Sequence, residues 1–437
     1  MRAVLSRWLR GDDRTLALYL GTGILLMALL RLDRVRQVVG VPDRPHDTLV
    51  LVLLATVLAW SSMLSRGFVW LEPAVLTWND FGATDRERLL ARRLLVQWAA
   101  RMLALGYLLA LLTAVAGLGT RWVLAGVAAQ VAAGALVLGA VGRPRRPGWV
   151  EPLVVLGFAA AAVAVRPGPD ALTGVAVALG LAAAVLLTLL ARSGPLTRPE
   201  IVRAGRGDLV QGWRERVMRV VGTHFLDVAM LLPAGRPVRG WRLTAPVGVR
   251  LAWVGVAART RRIPTALLLA LVAVAAHLAL PALPDEVVFA LFGYLALVPL
   301  TGGLAELWRS PGRRRWVGHS DLRLRAAHLA VLTVLAAVWA GLALGLAAAA
   351  GAPWETGVVL AVPLVSACAV RTATGAPPAY DNLMPVATPF GTLPVRLVTR
   401  TLRGPDLGLF AVLLVPTVPL PVGAAVVTAA VAVAVLR

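Results

Sequence analysis

Residues 328–350 read HLAVLTVLAAVWAGLALGLAAAA, 23 positions without one Asp, Glu, Lys or Arg. A helix rises 1.5 Å per residue, and the ~30 Å hydrocarbon core of a bilayer is crossed by about 20 apolar residues. The run is therefore long enough to be a membrane span. Similar apolar runs lie at about 15–30, 48–64, 95–118, 122–141, 149–165 and 171–191, and again at about 263–280, 286–304, 357–372, 407–419 and 422–436. With the first run they make twelve. The expected fold is an all-α, polytopic transmembrane helical bundle of about 12 spans.

Composition agrees. Of 437 residues, 59% are hydrophobic and 15% charged, where a soluble domain carries about 25% charged residues. A soluble enzyme and a disordered chain are excluded, and a single cysteine excludes a disulfide-stapled secreted fold. All 44 basic side chains are arginine. A formal charge of +22 would suggest nucleic acid if it lay on one soluble face. Placing the N-terminus in the cytoplasm instead puts 38 arginines inside and six outside, namely Arg31, Arg34, Arg36, Arg44, Arg121 and Arg166. That asymmetry predicts an N-in, C-in protein of the cell membrane, in contact with lipid and not with nucleic acid. No small-residue cleavage site follows Leu30, so the first run reads as a retained anchor.

The spans fall into two sets of six, residues 1–191 and 263–437, joined by a basic stretch at 192–262. Shifting the first set by about 236 to 248 residues superposes its elements on the second. Thr84 with Glu87 offers a capping box at the start of the third helix, and Ser320 offers a cap at the start of the ninth. Both helices should begin well before their apolar runs and protrude into the cytoplasm. Six spans return the chain to its starting side, so the expected relation is two parallel six-helix repeats. The competing reading is a chance likeness between any two sets of six apolar helices. Amphipathic pieces, Met1–Arg10 and Thr244–Arg259, precede the two halves. Within the linker a stripe of Val210, Trp213, Val217, Val220 and Leu226 opposes Arg214, Arg216 and Arg219. All three pieces are expected to lie at the cytoplasmic headgroup layer.

Chemistry is sparse. A chain without lysine holds no Gly-x-x-x-x-Gly-Lys phosphate loop. The five histidines are scattered and Cys368 sits in an apolar run, so no metal or other cofactor is expected. Ionisable and amide side chains within spans are candidates for a pathway: Arg101, Gln130, His277 and His328. Each of them has a plainer reading as a helix cross-link or an interfacial residue. The first outer loop carries Asp33, Asp43 and Asp47 beside His46, an arrangement that also suits a lipid-linked glycosyltransferase with an acid that deprotonates its acceptor.

Two cytoplasmic stretches stand out. After Trp70, Glu72 and Pro73 open a short helix carrying Val75, Leu76 and Trp78, and the equivalent stretch of the second half carries Trp308, Arg309, Arg313 and Trp316. A short helix held between two spans can enter a groove on a soluble partner. Two six-helix halves, an interfacial helix before each and a short cytoplasmic helix between spans two and three resemble the membrane subunit of an ABC-2-type exporter. The Leu71-Glu72-Pro73-Ala74 stretch with Trp78, followed by Asp85-Arg86 and Leu89-Leu90, resembles actinobacterial membrane proteins of unassigned function associated with ABC ATPases. The resemblance implies a fused permease without enzymatic activity of its own, driven by a separate ABC ATPase dimer that docks on residues 70–78 and 306–316. A departure from that family is the re-entrant outer helix it usually has before the last span, for which only 407–419 is available here. The glycosyltransferase and a twelve-helix secondary transporter remain the alternatives.

Overall fold

The computed structural model describes Gly23 and residues 26–44, 47–64, 69–79, 83–141, 205–224, 227–238, 247–375, 385–388, 391–394 and 402–436. The expected spans at 149–165 and 171–191, the Met1–Arg10 piece, the Thr84 cap and the side chains of His46, Trp78 and Leu226 lie outside them.

In the first half the helices are α1 (Leu32–Val39), α2 (Asp47–Leu64), α3 (Pro73–Asn79), α4 (Ala83–Val115) and α5 (Thr120–Val141). The linker supplies α6 (Arg206–His224), α7 (Val228–Leu231) and α8 (Val247–Ala257). The second half supplies α9 (Ile263–Ala279), α10 (Asp285–Leu297), α11 (Gly302–Arg309), α12 (Pro311–Val317), α13 (Asp321–Ala349), α14 (Ala361–Ala373), α15 (Pro405–Leu414) and α16 (Leu420–Leu436). Among the described residues, four stretches are long and apolar enough to cross a membrane: Arg88–Val115, Thr260–Ala279, Asp285–Arg309 and Asp321–Ala349. Much of their apolar surface faces outward, as Leu103 and Val338 do, which in water would be unfavourable and in lipid is not.

Local sequence explains the borders. α4 and α13 have 33 and 29 residues, about 50 Å and 44 Å at 1.5 Å per residue, so both overrun a ~30 Å core. Gly318, in the left-handed region at φ 69°, stops α12, and the Ser320 hydroxyl then accepts from the Arg323 amide at 3.4 Å to start α13. Ser320→Ala is expected to lower stability by about 1 kcal/mol, read as a small fall in the thermal midpoint in detergent. Pro299 withdraws one backbone donor between α10 and α11, and the helix tightens to a 3-10 turn over Val298–Thr301 without breaking the span.

Two features differ from the sequence reading. The first outer loop is helical over Leu32–Val39, and Arg36 at its end donates to the carbonyls of Ala114 (2.7 Å) and Val115 (3.1 Å), satisfying the C-terminus of α4. A two-stranded hairpin, β1 (Pro385–Thr388) against β2 (Gly391–Pro394), pairs Pro385 with Pro394 and Thr388 with Gly391. It is the one departure from helix-based structure among the described residues, favoured by short β-branched runs between helix-breaking prolines. In α6, Val220 is exposed, and the buried positions are Leu209 near its start and Gly222 near its end.

The packing is uneven along the length of the helices. α9 is the central helix, buried at every position from Leu268 to Ala276. It packs on α2 of the first half and on α10 and α13 of the second. Ala336, Ala340, Ala343 and Ala347 bury the small-residue face of α13, which allows close approach, and the Trp339 indole donates to the Ala266 carbonyl at 2.9 Å. First-half residues reach this shared core from the first turns of α2 (Val50, Val52, Leu54) and the last turns of α4 (Leu109, Leu112). There Gly40, at φ 82°, lies so close to Ala282 that an added Cβ would stand 2.8 Å from its amide nitrogen, and the Ala282 amide donates to Val39 at 3.1 Å. At the opposite, arginine-rich end the described cores are separate. One holds Trp60, Met63, Leu71, Leu76, Leu90 and Leu94 with Leu209 of the linker. The other holds Val256, Leu304, Trp308, Leu324 and Val370.

Candidate functional site

The arginine-rich end carries both short helices singled out in the sequence. Pro73 is the first residue of α3, where a missing amide proton is harmless. Leu71 and Leu76 are buried against α2 and α4, Val75 is half-buried, and Glu72, Pro73, Ala74 and Thr77 are exposed. Trp70 is already engaged. The guanidinium of Arg93 lies 3.5 Å from its ring centroid and that of Arg216 lies 4.4 Å from it. Arg93 also donates to the Trp70 carbonyl. The ring of Trp213 packs on the same indole at 5.2 Å. Trp70 is thus a clamp between α3, α4 and α6 and not a free docking group.

The second-half site divides its aromatic residues differently. Trp308 is buried, with Arg314 at 4.9 Å and Arg325 at 5.1 Å from its ring centroid. Arg314 is further held by Asp321 at 3.4 Å, and Arg309 by the buried Asp227 at 3.3 Å. Arg313 and Arg315 are exposed, and Trp316 is 92% exposed, the most exposed large apolar side chain among the described residues. α12 therefore projects a cationic surface with one unburied indole.

Sequence reading missed the junction behind α12. Arg259 has a side chain 2% exposed and bonds three acceptors: Glu306 Oε1 at 2.5 Å, the Gly255 carbonyl at 2.9 Å and the Pro233 carbonyl at 2.9 Å. Burial pushes its pKa below the usual arginine range, while the Glu306 carboxylate pulls it back up. The helices α8 and α11 cross here backbone to backbone. A Cβ on Gly303 would stand 3.0 Å from the Gly255 Cα, and one on Gly302 would collide with the Arg259 guanidinium. The available signal was a lone acid, Glu306, near paired glycines and close to a cationic span border.

The four pathway candidates are each tied into local packing. Arg101 donates to the Ala59 carbonyl at 3.2 Å, to Ser62 Oγ at 3.0 Å and to Gln97 Oε1 at 2.9 Å, joining α4 to α2. Gln130 is buried and donates to the Leu105 carbonyl at 2.9 Å, joining α5 to α4. His277 lies at the opposite end, 2.7 Å from Asp285 and stacked on Trp354 at 4.2 Å. His328 is buried and donates from Nδ1 to the Leu324 carbonyl at 2.8 Å. Of the first-loop acids, Asp47 is buried at the start of α2 and has a bonding partner, while Asp33 and Asp43 are exposed.

Comparison with known proteins returned no matching family model, no matching curated protein and no matching solved structure.

Proposed function

We propose that this chain is the multi-pass cell-membrane subunit of an ABC-type exporter, built as two parallel repeats with both termini in the cytoplasm and energised by a separate ATPase dimer. The observation that carries the reading is a repeated arrangement at constant spacing. Asp285 lies 238 residues after Asp47, Pro311 lies 238 after Pro73, and Asp321 lies 238 after Ala83. These residues open the corresponding span, short helix and long helix of each half. Trp308 likewise lies 238 residues after Trp70, and each indole carries two guanidinium groups, one of them from the long helix that follows.

Packing supports the same reading. Among the described residues the halves share an apolar core toward one end and have separate cores at the other. That distribution suits rigid-body rocking about the shared end. Opening and closing would be driven from the arginine-rich end, where the positive-inside rule places the cytoplasm. α12 offers the partner exposed Arg313 and Arg315 with a protruding Trp316, and α3 offers Glu72, Ala74 and Thr77. Aromatic and arginine side chains of this kind serve as anchors at protein interfaces.

Purification of the full chain from its own membranes in mild detergent tests the reading. A stoichiometric polypeptide with a phosphate-binding loop and ATP hydrolysis in the eluate is the expected result. An eluate without ATP hydrolysis, together with no such polypeptide, would overturn it.

A further inference from the structure

We propose that the linker helix α6, together with α7, is a tie that sets the resting distance between the two halves at the arginine-rich end. This inference rests on packing alone and does not depend on the transport reading. Toward the opposite end the halves meet directly, through α2, α4 and α9. At the arginine-rich end no core cluster of the described residues contains buried side chains from both halves, whereas linker residues enter both cores.

The first three turns of α6 belong to the first half. Leu209 is fully buried in the core beneath α3 and α4. Its carbonyl accepts from the Leu71 amide at 3.2 Å. Gly212 lies against the Val69 carbonyl, so that any side chain there would meet backbone that has no room to give. Trp213 and Arg216 then close on Trp70.

The far end belongs to the second half. The Asp227 amide donates to the Gly222 carbonyl at 2.7 Å, closing α6 directly onto α7. The Asp227 carboxylate, 3% exposed, pairs with Arg309 of α11. Leu232 packs on the second-half core, and two bonds within the linker join this segment to the end of α8, which packs on α11 and α13: the Arg236 amide donates to the Ala258 carbonyl at 3.0 Å and Arg259 donates to the Pro233 carbonyl. Between Leu209 and Gly222 the helix is continuous, a span of about 20 Å at 1.5 Å per residue. Held by the first half at its start and joined through Asp227 to the second, the helix keeps the two short helices at one resting distance until a force at this end loosens one of its contacts. The linker, which the sequence suggests is a surface-lying connection, is on this geometry a mechanical part.

The test is a pulsed-EPR distance on the full chain in lipid nanodiscs, with Cys368→Ala as background and labels at Thr77→Cys and Arg313→Cys. Both positions are exposed, one on α3 and one on α12. A control pair, Arg313→Cys with Val338→Cys, lies within the second half. In the absence of nucleotide and partner, the intact tie gives one narrow distribution between α3 and α12. Gly212→Leu frees the first end and Arg309→Ala weakens the second. Each is expected to broaden that distribution at least twofold and to leave the control pair narrow. Because the two contacts act in series, the double variant should broaden it no further than the larger single effect. Trp213→Ala repeats the first-end test without crowding the backbone, and it decides the matter if Gly212→Leu broadens the control pair as well. Unchanged distributions in Trp213→Ala and Arg309→Ala, or additive broadening in the double variant, would overturn the proposal.

Discussion

Arg259→Ala is expected to cause the largest loss of stability of any single substitution at the arginine-rich end. It removes one cation and three hydrogen bonds from a side chain that is almost entirely out of solvent, a class of change that costs about 3 kcal/mol or more. Arg259→Lys should recover little, because an ammonium cannot hold three acceptors spread around a planar fork. Glu306→Gln should cost less than either, since that carboxylate is about half exposed and its pairing is weakened by water. Thermal unfolding followed by tryptophan fluorescence in detergent orders the three. Equal midpoints for Arg259→Ala and Glu306→Gln would show that the guanidinium is not the centre of the junction.

Trp316→Ala is expected to leave folding intact and to uncouple the partner. The side chain is 92% exposed, so its loss removes no core packing. An aromatic anchor at the centre of an interface contributes about 2 kcal/mol or more, which is a roughly thirtyfold weaker affinity. The readouts are the affinity of the separate ATPase for the chain and the chain's effect on ATP hydrolysis, with the thermal midpoint as control. Reversing charge at Arg313 and Arg315 should act in the same direction. Affinity unchanged by Trp316→Ala would mean that α12 does not enter the partner.

How far the sequence specified these features depended on whether the cause was local. The start of α13 was legible at Ser320, and that of the short helix α3 at Pro73, because caps and prolines act through the backbone of their own turn. The length of α13 beyond its apolar run followed from the same signal, and α4 likewise begins well before its own. Side-chain destinations were less legible. Trp70 and Trp316 read alike in a chain, yet one is clamped between Arg93 and Arg216 and the other stands in the open. The difference is made by α6, which arrives from more than 130 positions later. Arg259 with Glu306, and Arg309 with Asp227, are pairings across 47 and 82 residues that no periodicity announces. Arg101 and Gln130 show the converse: an intramembrane polar residue is a pathway candidate by default, but a backbone carbonyl on the neighbouring helix satisfies each of them.

Distances in the complete complex, with the ATPase present, test most directly whether the halves rock about a shared end. One label pair, at Thr77→Cys and Arg313→Cys, reports the arginine-rich end; a second, at Asp43→Cys and Gly351→Cys, reports the opposite end. On trapping the ATP-bound state, two halves hinged at their shared core should show a large shift in the first distance and little or none in the second. A first distance that does not respond to nucleotide, or two distances that change by equal amounts, would contradict a hinge driven from the arginine-rich end.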